Sequence, residues 1–250
     1  MTGVAEPDTP ERTAELTERL AAVRERLDAA CRAAGRDPAE VSLLAVTKTV
    51  PPADVAALLD LGLVEFAENR AQELAAKVHD VATARPGAAP RWHFVGGLQR
   101  NKVRMVLPWV SGIQSVDSSR LARTIDKEVA RLRETGQGSG PLPVLLQYSV
   151  DGDPGRGGVP ADGLEALADL VAELPGLELA GLMAVAPLGP EPAESFAAIA
   201  EAAGRVRERH PSARTLSAGM SGDLEIAVDH GSTVVRVGTA LVGDRRITSE

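Results

Sequence analysis

The sequence predicts a (β/α)₈ barrel, and three observations carry the prediction. Eight short β-branched or aliphatic runs alternate with amphipathic helical stretches along 250 residues, the arithmetic of that fold. Several runs, such as Leu43-Leu44-Ala45-Val46, are continuously apolar, as strands covered on both faces are. The competing architecture, a doubly wound open sheet, needs a glycine fingerprint after its first strand. The segment there reads Thr47-Lys48-Thr49-Val50-Pro51-Pro52 and holds no glycine.

The elements follow in order. Residues 1–8 are polar and acidic and are expected to be a flexible lead. Residues 9–35 are expected to form a helix ahead of the first strand, covering part of the barrel outside. Thr9 suits its N-cap and Pro10 its first turn. Leu16, Leu20, Val23, Leu27 and Cys31 form one apolar stripe, and Gly35 stops it. Cys31 on that stripe reads as a small buried hydrophobe.

Strands are then expected at Val41–Val46, Val64–Phe66, Trp92–Val95, Gly112–Val116, Val144–Val150, Leu177–Met183, Arg214–Leu216 and Thr233–Val237. Helices are expected near Ala53–Leu61, Asn69–Thr83, Asn101–Leu107, Ser118–Glu134, Pro160–Glu173, Pro192–Arg209 and Gly222–His230, with a short helix opened by Gly238 and Thr239. No break in composition divides the chain, so residues 1–250 are expected to form one domain.

Composition excludes several classes. Aromatics are 2% against 44% hydrophobic residues, so the core is built from Ala, Leu and Val. No apolar run approaches the roughly 18 residues of a membrane span, and no basic-then-apolar leader opens the chain. One cysteine forms no internal disulfide and no zinc cluster. A net charge of −8 argues against nucleic acid as a main partner. A cytoplasmic monomer is the expectation.

Barrel chemistry sits at the C-terminal ends of strands. Ser217-Ala218-Gly219-Met220-Ser221-Gly222 follows the seventh strand and Gly238-Thr239-Ala240 the eighth. Loops after strands 7 and 8 are the recurrent phosphate site of this fold. Glycines let the backbone approach, and helix N-termini present free N–H groups. Ordinary turn chemistry explains Ser and Gly there equally.

Lysine is scarce: only Lys48, Lys77, Lys102 and Lys127 occur. Lys48 leaves the first strand toward the barrel mouth, where a desolvated amine would be nucleophilic. A lysine and a phosphate site in one mouth suggest pyridoxal 5′-phosphate held as a Schiff base. A salt bridge to Glu68, or a plain phosphate-binding role, are the alternatives. Arg236 alternates with Val235 and Val237. Facing inward, it would meet the cofactor's pyridine nitrogen and disfavour its protonation; otherwise it would pair with Glu68, Asp223 or Glu225. His79, His210 and His230 read as surface groups, and His93 as a satisfied core histidine. No metal-ligand spacing and no nucleophile elbow is present.

These segments resemble the YggS/PROSC family of pyridoxal phosphate homeostasis proteins. The resemblance runs from the N-terminal helix to Gly243. It is carried by Leu43–Lys48, Glu68-Asn69-Arg70-Ala71-Gln72-Glu73, Trp92–Lys102, Gly181-Leu182-Met183, Leu216–Ser221 and Val235–Ala240. It implies a barrel like the N-terminal domain of alanine racemase and a Schiff base on Lys48. It also implies a phosphate near Ser217, Gly238 and Thr239, Arg236 facing the pyridine nitrogen, and Asn69 and Met220 lining the pocket. Two departures stand out. Ala67-Glu68-Asn69-Arg70 replaces the family's Gly-Glu-Asn-Tyr, and Arg156 stands in a glycine-rich loop where many members carry Lys. Gln99, Asn101, Lys102 and Arg156 are left unassigned.

The resemblance implies a carrier that buffers the cofactor and delivers it to apo-enzymes, with no established reaction. A weak racemase-like enzyme is the alternative. It needs a second base, typically a tyrosine opposite the lysine, and the single tyrosine, Tyr148, lies on the fifth strand. A phosphate-binding barrel without an aldehyde ligand would leave Lys48 unexplained.

Overall fold

Thr9 opens the first element by accepting the Arg12 N–H at 3.1 Å through its hydroxyl. Pro10 follows at the first helical position, so α1 runs Pro10–Ala33. Its expected stripe is buried throughout, Cys31 included. Removing each such aliphatic side chain from water is worth roughly 1.5–3 kcal/mol, which fastens α1 to the outside of the barrel. A computed structural model describes residues 9–138, 140–153, 155–187 and 192–243; the lead expected at 1–8 lies outside them.

A 3₁₀ turn at Pro38–Glu40 leads into β1 (Ser42–Val46). Then follow α2 (Pro52–Asp60), β2 (Glu65–Glu68), α3 (Ala71–Ala84), β3 (Arg91–Phe94) and α4 (Val103–Val106). The chain continues through β4 (Gly112–Val116), α5 (Ser119–Glu134), β5 (Leu142–Tyr148), α6 (Ala161–Ala172) and β6 (Leu177–Ala184). It ends through α7 (Pro192–Arg209), β7 (Thr215–Ser217), α8 (Leu224–Asp229), β8 (Val234–Val237) and α9 (Thr239–Val242). The eight strands pair in sequence order, all parallel, and β8 closes on β1. The expected (β/α)₈ barrel with an extra N-terminal helix is the observed fold.

Two stretches differ from expectation. The helix expected over Asn101–Leu107 is four residues of α-helix between 3₁₀ turns at Arg100–Lys102 and Leu107–Trp109, because Pro108 cannot continue the i→i−4 ladder. The helix expected over Gly222–His230 spans only Leu224–Asp229, since the chain before it is a turn closed by the Asp223 N–H on the Met220 carbonyl at 3.3 Å.

Among the described residues no helix is long and apolar enough to cross a membrane, and no His/Cys/Asp/Glu cluster could hold a metal ion.

Candidate functional site

Parallel pairing brings the C-terminal ends of β1 and β8 together, with Leu44 opposite Arg236 and Ala45 opposite Val237. One register step on, Gly238 lies against Val46. Lys48 and Thr239 therefore leave neighbouring strands at the same mouth. Lys48 is exposed rather than desolvated, and so is Thr239.

The turn that carries Lys48 is held from below. Val50 N–H returns to the Thr47 carbonyl at 3.0 Å. Thr49 completes the turn at φ 61°, a strained value for a β-branched residue. Lys77, reaching in from α3, donates to that same Thr47 carbonyl at 2.6 Å and to Glu68 Oε1 at 2.6 Å. The Thr47 hydroxyl donates to Glu68 Oε1 at 2.8 Å. The salt bridge offered as an alternative for Lys48 is thus made by Lys77 instead.

Asn69 follows Glu68 at the end of β2. Its Oδ1 is buried and meets no partner among the described residues, and neither does Glu68 Oε2. A Cβ on Gly96 would lie 2.2 Å from the Asn69 carbonyl oxygen, so only glycine lets the β3 end pass this close.

Arg236 is 4% exposed and faces inward. Its guanidinium passes β7 and donates to the Ser217 carbonyl at 2.7 Å, the Ser217 hydroxyl at 2.8 Å and the Ala184 carbonyl on β6 at 2.8 Å. No carboxylate meets it among the described residues. Glu68 pairs with Lys77, Glu225 with Arg26, and Asp223 accepts the Met220 N–H. Burial therefore brings its pKa down to about 10, with Asp223 pulling upward only at a distance. It stays a cation at neutral pH.

Ser217 is fully buried. Its hydroxyl donates to Gln114 Oε1 at 2.7 Å while accepting from Arg236, so its one proton is already spent within the barrel. The hydroxyl between the two glycine turns is that of Ser221, which accepts the Ala240 N–H of α9 at 3.4 Å. Gly219 makes this geometry possible. It sits at φ 91°, and a Cβ there would lie 2.4 Å from the Ala227 methyl. Its carbonyl accepts the Arg236 N–H at 3.0 Å. Met220, the next residue, is 37% exposed.

Elsewhere, Arg156 pairs with Asp151 at 2.8 Å and donates to the carbonyls of Val185 and Ala186, tying the β5 loop to the end of β6. Gln99 and Asn101 are exposed and Lys102 is half-buried. His93 is a half-buried histidine satisfied by Glu65 at 2.7 Å. His79 is exposed in mid-helix, whereas His210 and His230 are half-buried. His210 bonds to Asp169 and His230 to its own helix, an arrangement that fixes helix ends. Ser221 lies in the Ser217–Gly222 segment that the sequence already marked as a phosphate turn. Lys77 and Gln114 were not reached from the sequence as site residues, and of the two only Lys77 carried a signal there, as one of the chain's few lysines.

The alanine racemase, N-terminal domain, family matches residues 19–246. The pyridoxal phosphate homeostasis protein of Mycobacterium tuberculosis is 46% identical, with 96% of each chain covered. Among solved structures, PipY of Synechococcus elongatus with PLP bound superposes with a TM-score of 0.77 at 33% identity, covering 91% of this chain and 100% of that one. A protein from Bifidobacterium adolescentis described as unknown gives a TM-score of 0.85 at 32% identity, covering 95% and 98%. With this barrel, this order of motifs and these similarities, the chain belongs to the alanine racemase N-terminal domain family, alongside the pyridoxal phosphate homeostasis proteins.

Proposed function

We propose that this protein binds pyridoxal 5′-phosphate at the C-terminal mouth of its barrel and serves intracellular homeostasis of the cofactor. The observation that carries the proposal is Arg236, a buried guanidinium that meets no carboxylate among the described residues, one strand away from the exposed amine of Lys48. Its three acceptors are all neutral oxygens, and a pyridine nitrogen presented from the mouth would add a further electron-rich partner. The residues fit the group in other ways. The orphaned Oδ1 of Asn69 lacks a donor. The turns at Ser221-Gly222 and Gly238-Thr239 meet through the Ser221 hydroxyl and together suit a phosphate.

Lys48 supplies the amine that holds the cofactor aldehyde as a Schiff base. Gly238 and Thr239 receive the phosphate with Ser221, Asn69 and Met220 border the ring, and Ser217 acts by holding Arg236. When bound, the cofactor supplies a reactive aldehyde and an electron-withdrawing ring. Arg236, a cation at neutral pH, keeps a proton off the ring nitrogen and so weakens that electron sink. This favours a carrier, a cytoplasmic monomer passing the cofactor to apo-enzymes, over a racemase. The single tyrosine supports the same choice: Tyr148 is buried within β5.

The test is the visible spectrum of the protein with pyridoxal 5′-phosphate, before and after borohydride, followed by peptide mass mapping. The expected result is a yellow band that borohydride bleaches, with the adduct on Lys48. Lys48→Ala should abolish the adduct and leave the far-UV signal unchanged, because the side chain is exposed. No uptake of the cofactor, or an adduct on Lys77, Lys102 or Lys127 alone, overturns the proposal.

A further inference from the structure

We infer that Gln114, on β4, is a positioning residue for the cofactor: its side-chain carbonyl orients the Ser217 hydroxyl, which in turn holds the Arg236 guanidinium. This rests on the reading of Arg236 as the residue facing the pyridine nitrogen. Gln114 is 4% exposed and Ser217 fully buried, so their mutual bond at 2.7 Å is shielded from water. An arginine only donates, and a hydroxyl has one proton. With Arg236 Nη1 donating to Ser217 Oγ at 2.8 Å, the serine proton goes to Gln114, whose Oε1 faces it at 2.7 Å. The chain of bonds has one direction, from Arg236 through Ser217 to Gln114.

The far side of Gln114 explains why it is an amide. It lines a cavity of about 170 Å³ at the N-terminal end of the barrel, together with Glu65, His93 and Thr215. Its Nε2 meets no acceptor among the described residues. A buried amide is costly unless it is bonded, and the bond it makes is to Ser217. A hydrocarbon at this position would fill the cavity but strand the serine proton. The serine would then turn to find another acceptor and give up its lone pair facing Arg236.

Two substitutions of matched length separate an acceptor from mere bulk. Absorbance titration with pyridoxal 5′-phosphate should show Gln114→Met binding about five- to tenfold more weakly, the loss of one hydrogen bond in a charged chain. Gln114→Glu, which restores an acceptor, should bind within about twofold of wild type. Wild-type affinity in Gln114→Met overturns the inference, and so does equal weakness in both variants. If Gln114→Met does not fold, Ser217→Ala breaks the same chain one atom further on and should show the same loss; unchanged affinity there overturns the inference as well. Arg236→Ala is titrated alongside. Weak binding by that variant beside a normal Gln114→Met defeats only the positioning role. Normal binding by Arg236→Ala defeats the reading of the site itself.

Discussion

Lys77 on α3 and Glu68 at the end of β2 form a buried ion pair, Nζ to Oε1 at 2.6 Å. The same ammonium bonds the Thr47 carbonyl one residue before Lys48. An outer helix is thereby fastened directly under the strand end that presents the exposed amine. Removing one member of such a pair leaves the other charge buried and unmatched, and typically costs about 3–5 kcal/mol. Lys77→Met is therefore expected to lower the urea unfolding free energy by about that amount. The double variant Lys77→Met/Glu68→Gln should recover most of the loss. An additive double variant would show that the pair is not coupled.

Arg236 gives a pH dependence with a definite sign. Its pKa is brought down by burial to about 10, below the ordinary guanidinium value, so between the two the unfolded chain holds the proton and the folded chain does not. Stability without ligand should then rise with pH across that window, because burying the charge opposes folding below it. Cofactor affinity should run the other way. It is full well below pH 10 and falls as the guanidinium loses its proton around that value, over and above any fall seen in Arg236→Gln. Affinity titrations of both proteins from pH 8 to 11 check this: parallel curves would remove Arg236 as the titrating group.

Gly96 is the steric counterpart. A methyl placed 2.2 Å from the Asn69 carbonyl oxygen cannot be accommodated by rotating a side chain, because the obstacle is backbone. Gly96→Ala must push apart the ends of β2 and β3. The expected cost is about 1–3 kcal/mol, the range of overpacked sites, together with weakened cofactor binding through displaced Asn69. A thermal melt and an absorbance titration on the same variant measure both. Unchanged binding in a destabilised variant would separate Asn69 from the site.

How much of this was legible depends on whether the signal was local. The strands announced themselves as short aliphatic runs, and α1 by its stripe and cap, since each is written within a window of a few residues. The arrangement of Lys48, Arg236 and the two glycine turns followed from the barrel alone, which puts every strand's C-terminal end on one face. The partners of these groups were not legible. Glu68 is nine residues from Lys77 and Gln114 is 103 from Ser217, and only the barrel's closure decides which inward side chains meet. The exposure of Lys48 was missed because strand burial does not extend past Thr47, where the chain turns outward. His210 and His230 looked like surface groups because their bonds tie helix ends and leave no periodic trace.

The same distance hides the contact that closes the fold. Arg12 of α1 is 1% exposed. It donates to Asp54 of α2 at 2.7 and 3.1 Å, and to the Val242 carbonyl at the end of α9 at 2.9 Å. One guanidinium thus joins the first helix, the second helix and the last element, beside the turn that carries Thr239. Arg12→Met keeps most of the bulk but removes the cation facing a buried carboxylate and the donor to a buried carbonyl. The expected destabilisation is about 3–5 kcal/mol. Because α9 opens with Thr239, the loss should also reach the ligand site. Hydrogen exchange should quicken first in α9 and the N-terminal half of α1, and cofactor affinity should fall even under conditions where the barrel strands remain protected. Uniform acceleration across all eight strands would mean instead that Arg12 supports global stability alone, with no special hold on the turn that carries Thr239.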